Sequence, residues 1–147
     1  MSRRIHIYNG PNINMTGLRE ARHYGSLTYQ ELCAELCATA RELGFELLIR
    51  QSNHEGDLVS WLHEMAFSGE PLVINAGAYT HTSVAIRDAL ALVTGKKIEV
   101  HMSNVHAREA FRHHSYLSDV VDGVIVGLGA GSYKAALFAL SLEEEAA

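Results

Sequence analysis

Five short apolar runs alternate along the chain with stretches whose apolar residues recur at helical spacing, and this alternation leaves few folds open. The runs are Ile5 to Tyr8, Phe45 to Arg50, Pro71 to Ile74, the segment around Ile98 and Val100, and Gly123 to Gly127. Each has the length of a strand buried between layers, and each stops at residues suited to a turn. A capping box, Thr28-Tyr-Gln-Glu31, predicts a helix whose stripe is Leu32, Cys33, Leu36, Cys37, Ala40 and Leu43, ended by Gly44. Leu58, Val59, Leu62, Met65 and Ala66 mark a second helix, with His63 and Glu64 facing solvent. Val84, Ala85, Ala89 and Leu92 mark a third, closed by Gly95, and Ser132 to Leu142 the last, before an acidic tail expected to fray from Glu143. Ala107 to His114 adds a helical turn or two that would set Arg108 and Arg112 on one face.

Strands alternating with helices specify an α/β, doubly wound parallel sheet with helices on both faces, and for five strands the flavodoxin-like order 2-1-3-4-5 is expected. A chain of 147 residues has the size of one domain, residues 1–147. Its net charge of -5 argues against a nucleic-acid partner held by electrostatics. No apolar run approaches the roughly 20 residues that span a bilayer, and no signal-like segment follows Met1, so a cytoplasmic protein is expected. Cys33 and Cys37, four apart on one helix, read as reduced core residues.

In a parallel sheet the ligand crevice lies beyond the carboxyl ends of the strands. There the chain places Asn9 and Asn12 after the first strand, Asn75 and His81 after the third, and His101, Ser103, Asn104 and His106 after the fourth. Strands one, three and four are neighbours in the expected order, so these groups converge on one crevice. Glu99 lies between apolar residues inside its strand, where a carboxylate needs partners, and His101, two residues on, shares its face. The pair is either an imidazole oriented for acid catalysis or a buried structural pair. Amides at strand ends likewise meet a ligand or merely close turns. His81 is expected to be neutral, since the positive end of a helix dipole disfavours its protonation. Residues Asn14 to Ser26 have neither period and carry Arg19, Arg22, His23 and Tyr24 between glycines. They form a lid over residues 15–26 or a solvated loop.

Several chemistries are excluded by their missing motifs. No HExxH or spaced Cys/His set is present, so no metal is expected, and no Gly-x-Ser-x-Gly elbow supports acyl transfer. Gly127-Leu-Gly-Ala-Gly131 lacks the sixth glycine and the following strand of a dinucleotide fingerprint, and reads as a strand-to-helix turn. Proton chemistry remains, with a tyrosine between arginines as a base and His101 as an acid. A flavodoxin-like module that binds a flavin or a protein partner is the alternative. It leaves a phenol, a histidine and three asparagines at one edge unexplained.

Asn9-Gly-Pro-Asn-Ile-Asn14, Arg19-Glu with Tyr24-Gly25, Arg50-Gln-Ser-Asn-His-Glu-Gly56, Asn75-Ala-Gly-Ala-Tyr-Thr-His-Thr-Ser83, Glu99-Val-His-Met-Ser-Asn104 and His106-Ala-Arg-Glu through Tyr116 together resemble type II 3-dehydroquinate dehydratase over nearly the whole chain. The resemblance implies a flavodoxin-like enzyme without a cofactor. Its reaction would turn 3-dehydroquinate into 3-dehydroshikimate by trans elimination of water through an enolate, in the shikimate pathway or quinate catabolism. By position, Tyr24 would be the base, Arg19 would lower its pKa, and Asn12 would help hold a water that stabilises the enolate. His101, oriented by Glu99, would protonate the departing hydroxyl. Asn75, Ser103 and the backbone of Met102 would take the substrate carboxylate, and His81 and Arg112 its ring hydroxyls. Asp88 would reach a neighbouring subunit's site and Arg108 would support the interface of a homo-oligomer of trimers, a dodecamer. Lys96, Lys97 and Lys134 lie away from the crevice, so no Schiff base is expected. Met15, Thr16, Ala21 and Met102 depart from the family's usual residues.

Overall fold

The computed structural model describes residues 3–18 and 27–146, with side chains to residue 142. Five strands, β1 (Arg3–Asn9), β2 (Phe45–Gln51), β3 (Leu72–Asn75), β4 (Lys97–His101) and β5 (Gly123–Val126), form one sheet. Its order is β2-β1-β3-β4-β5, as expected, with every pairing parallel. All five carboxyl ends therefore meet along one edge.

Helices α1 (Tyr29–Glu42), α2 (Glu55–Met65), α3 (Val84–Ala91) and α4 (Ala130–Ala146) cover the two faces. Strand alternation decides which side chain meets which layer. Ile5, Ile7, Val73, Ile98 and Val100 pack with Leu32 and Leu36 of α1 and Tyr133 and Leu137 of α4. On the other face Tyr8, Leu72 and Ile74 pack with Leu58 and Leu62 of α2 and Ile86 and Leu90 of α3. Ile98 and Val100 fill the first core, so Glu99 points to the opposite face.

The capping box is present, with Glu31 N donating to Thr28 Oγ1 at 3.1 Å and Thr28 N to Glu31 Oε1 at 3.0 Å. Cys33 and Cys37 are free but half-buried, at the margin of the α1 stripe and not in its core. His63 and Glu64 are exposed. Two local readings need correction. The buried stripe of α3 is Ile86, Ala89 and Leu90, while Val84 and Leu92 are exposed, because a 3-10 turn at Gly77–His81 precedes the helix and Ser83 caps it. No helix joins Arg108 to Arg112. Two short 3-10 turns, Val105–Ala107 and Ala110–Arg112, are separated by an extended Arg108, and Asn104 Oδ1 caps the first by accepting from His106 N.

Gly10 brings the β1 and β3 turns together. A Cβ there would lie 2.2 Å from the Ala76 carbonyl oxygen, a distance no side chain tolerates. This closeness lets segments from two strands share one wall.

Candidate active site

Pro11, Asn12, Ile13, Gly77, Ala78, His81, His101, Met102, Ser103, Val105, Arg108 and Arg112 line a cavity of about 140 Å3 at the carboxyl edge, beyond β1, β3 and β4. Asn12, His81, His101, Met102, Ser103 and Arg112 were all expected at such a crevice. Arg108, expected at an interface, lines it too, and its Nη1 donates to Ser103 Oγ at 3.4 Å. Asn12 has a left-handed backbone, φ 69°, that turns its N–H to donate to Asn53 Oδ1 at 3.0 Å. Arg112 Nε donates to Glu109 Oε1 at 2.8 Å, yet the two guanidiniums still give this wall positive character suited to an anionic ligand.

Glu99 and His101 stand on one face of β4, and His101 Nε2 donates to Glu99 Oε2 at 2.6 Å. Glu99 is 0% exposed and His101 7%. A carboxylate this deep requires donors. Three hydroxyls supply them: Thr80 Oγ1 at 2.7 Å and Ser115 Oγ at 2.9 Å to Oε2, and Ser118 Oγ at 2.6 Å to Oε1. Burial alone would push the Glu99 carboxyl up. The bond and charge of His101, with the Ser118 and Thr80 hydroxyls, outweigh it and hold the pKa at about 2. Glu99 is therefore an anion at neutral pH, and it occupies Nε2 of His101. Nδ1 is the ring nitrogen left for chemistry.

His81 stacks beside His101, with ring centroids 6.3 Å apart. Its Nδ1 lies 2.8 Å from the His114 carbonyl oxygen, which can only accept, so Nδ1 carries a hydrogen. Burial, first of all, pushes the His81 pKa down, with the His101 and Arg112 charges adding to it. The expected neutral imidazole stands, but burial and not a helix dipole is its main cause, since His81 belongs to the 3-10 turn before α3. Its Nε2 is then an acceptor.

Asn75 does not line the cavity. It is buried, Nδ2 donating to Tyr133 Oη at 2.8 Å and Oδ1 accepting from the Gly77 N–H at 3.2 Å. Asp88 is exposed on α3 and also lies outside the cavity. Arg19 and Tyr24, and the lid beyond Leu18, lie outside the described residues. Lys97 Nζ donates to the Leu90 and Val93 carbonyls, and Lys134 pairs with Glu35. Neither lysine lines the cavity. Among the described residues no group of His, Cys, Asp and Glu side chains is arranged to hold a metal ion. Sequence reasoning missed Thr80, Ser115 and Ser118. The signal available was the hydroxyl-rich Ser115-Tyr-Leu-Ser118 segment, given that a buried Glu99 had to find donors.

The family model for class II dehydroquinase matches residues 3–141. Among curated relatives, the 3-dehydroquinate dehydratase of Azorhizobium caulinodans is 55% identical over 141 residues, covering 96% of this chain and 95% of its own. That of Mycobacteroides abscessus is 54% identical over 133 residues, covering 90% and 92%. The crystal structure of the type II dehydroquinase from Propionibacterium acnes superposes with a TM-score of 0.94 at 44% identity, covering 97% of this chain and 98% of that one.

Proposed function

This chain belongs to the class II dehydroquinase family and dehydrates 3-dehydroquinate to 3-dehydroshikimate, and we propose that it does so by trans elimination through an enolate, with Tyr24 as base and His101 as acid. Tyr24, its phenol pKa lowered by Arg19, takes the proton from the carbon next to the ketone. The electron pair of that bond passes into the carbonyl to form an enolate, whose charge meets a water held at Asn12. As the enolate collapses, the bond to the departing hydroxyl breaks and His101 Nδ1 gives it a proton. Water leaves, and the new double bond is conjugated with the ketone. No cofactor takes part.

The observation that carries this reading is the Glu99–His101 pair: the ring is fixed by a buried anion, with one nitrogen left at a cavity walled by two arginines. The substrate carboxylate is assigned to Asn75, Ser103 and the Met102 backbone, and the ring hydroxyls to His81 and Arg112. A binding module without chemistry is not favoured, since the relatives are named as enzymes.

An ultraviolet assay for the conjugated enone tests the reaction, and Tyr24→Phe tests the base. Turnover in that variant should fall by about 100- to 10,000-fold. Near-normal turnover would send the search for the base elsewhere.

Assembly as trimers, four to a dodecamer, extends the proposal. It is supported by Val84 and Leu92, which α3 leaves exposed beside Asp88, and by exposed Phe111. In the trimer Asp88 would enter a neighbouring site and Arg108 would support the contact. Asp88→Ala should then weaken assembly and activity together, as read by light scattering and the same assay. A wild-type monomer at micromolar concentration would sink this part. The half-buried, unpaired thiols of Cys33 and Cys37 suit a reducing compartment, the cytoplasm.

A further inference from the structure

A buried relay of hydrogen bonds runs from β3 through α4 and β1 to α1. Asn75 Nδ2 donates to Tyr133 Oη at 2.8 Å, Tyr133 Oη to Asn9 Oδ1 at 2.6 Å, and Asn9 Nδ2 to Tyr29 Oη at 3.1 Å. Its direction is not arbitrary. The Gly77 N–H can only donate and claims Asn75 Oδ1 at 3.2 Å, so the amide nitrogen must face Tyr133. Tyr133 has one hydroxyl hydrogen. Because that hydrogen goes to Asn9, its oxygen is free to accept from Asn75. Burial keeps this phenol protonated, by pushing its pKa upward. The Asn75 amide is thus held at both ends, and its second N–H meets no acceptor among the described residues. The backbone is tied in as well. Gly10 N donates to the Asn75 carbonyl at 2.8 Å, and Gly77, held by Oδ1, lines the cavity.

We propose that Tyr133, which does not line the cavity, is a positioning residue for substrate binding: its hydroxyl fixes the Asn75 amide so that the remaining N–H meets the substrate carboxylate while Oδ1 steadies the Gly77 wall. This rests on the assignment of the carboxylate to Asn75. The hydroxyl acts on binding and not on proton transfer, since the relay contains neither Tyr24 nor His101.

The test is a double-mutant cycle of Tyr133→Phe and Asn75→Ala, read by KM and kcat for 3-dehydroquinate, with circular dichroism to confirm folding. Tyr133→Phe keeps the ring and loses both neutral hydrogen bonds of the hydroxyl, of which the one from Asn75 bears on binding, so KM should rise roughly 5- to 10-fold with kcat within about 2-fold. Asn75→Ala loses a bond to a charged group, and KM should rise about 10- to 100-fold. The double variant should be no worse than Asn75→Ala alone, because the hydroxyl acts through that amide. Multiplying effects would overturn the proposal and make Tyr133 a packing residue. So would an unchanged KM in Tyr133→Phe beside a raised one in Asn75→Ala. An unchanged KM in Asn75→Ala would instead remove the carboxylate assignment, and this inference with it. If Tyr133→Phe does not fold, Asn9→Ala releases the same hydroxyl from the other side, and its KM rise must likewise vanish in the Asn75→Ala background.

Discussion

Two histidine–glutamate pairs lie at opposite ends of the sheet, and they differ in nearly everything except the bond. At the carboxyl edge His101 Nε2 meets Glu99 at 2.6 Å; beside the amino end of β3 His6 Nε2 meets Glu70 at 2.9 Å. Glu99 has no exposed surface and takes three hydroxyl donors, whereas the Glu70 side chain is 28% exposed and takes Arg4 Nε at 3.2 Å. Around Glu99 the neutral donors leave its charge facing one imidazole. Around Glu70 a half-exposed guanidinium and the open surface share that charge. A fully buried, singly directed anion suits the orientation of the proposed acid; a part-exposed, shared one joins a strand to a loop. The chemistry thus depends on burial and on which end of the parallel sheet the pair occupies.

Removing each imidazole gives the widest separation. His101→Ala should lower turnover by roughly 100- to 10,000-fold, the range of a lost general acid. His6→Ala should leave it within about 2-fold. Comparable losses in both, in the enone assay on folded protein, would mean that position on the sheet does not distinguish the pairs.

Ser118→Ala probes the hydroxyls with a smaller effect. Ser118 gives Glu99 Oε1 its only donor among the described residues, and leaving a buried carboxylate oxygen without one costs on the order of 1 to 3 kcal/mol. Turnover should drop about 10-fold as the pair loses its fixed geometry. The pH dependence of stability gives a second reading. A carboxyl held at about 2 when folded, against an ordinary 4.5, stabilises the fold above the ordinary value, and this contribution is lost as pH falls from there through about 2. Without the Ser118 hydroxyl the folded pKa rises, so less stability is present at neutral pH and less remains to be lost on acidification. Urea denaturation between neutral pH and pH 3 should show a shallower decline in Ser118→Ala than in the wild type. An identical slope would mean that the other donors suffice.

The same contrast explains what could be read without coordinates. The Glu99–His101 pair was legible because a spacing of two in a strand is a local rule, and strand order followed from the alternation of runs. The donors left only the hydroxyl-rich Ser115-Tyr-Leu-Ser118 segment as a signal, since Thr80, Ser115 and Ser118 reach Glu99 from turns that only the finished fold brings together. Tyr133 reaches Asn9 across 124 residues, and no periodicity marks that meeting. Arg108 and Arg112 were expected on one face of a helical turn, with Arg108 at an interface; the cavity instead gathers both through two 3-10 turns and an extended residue. The α3 stripe was misassigned because Val84 and Leu92 are apolar yet exposed, and the pattern of apolar residues does not by itself say which of them face the core.

The smallest expected effect belongs to the part-exposed pair. The hydrogen bond from His6, first of all, and then Arg4 hold the Glu70 carboxyl below its ordinary range, so this pair too contributes above the ordinary carboxyl pKa and loses its contribution as pH falls. The sign matches that of Glu99, but solvent screening makes it small. Glu70→Gln keeps the shape and a hydrogen-bonding oxygen for Arg4 or His6 while removing the charge, so stability at neutral pH should fall by less than about 1 kcal/mol. Turnover should not change. Added salt should shrink even this difference, because an exposed pair is screened where a buried one is not. A tenfold loss of turnover in Glu70→Gln would show that the amino end of β3 communicates with the cavity, and the contrast between the two pairs would have to be sought in something other than burial.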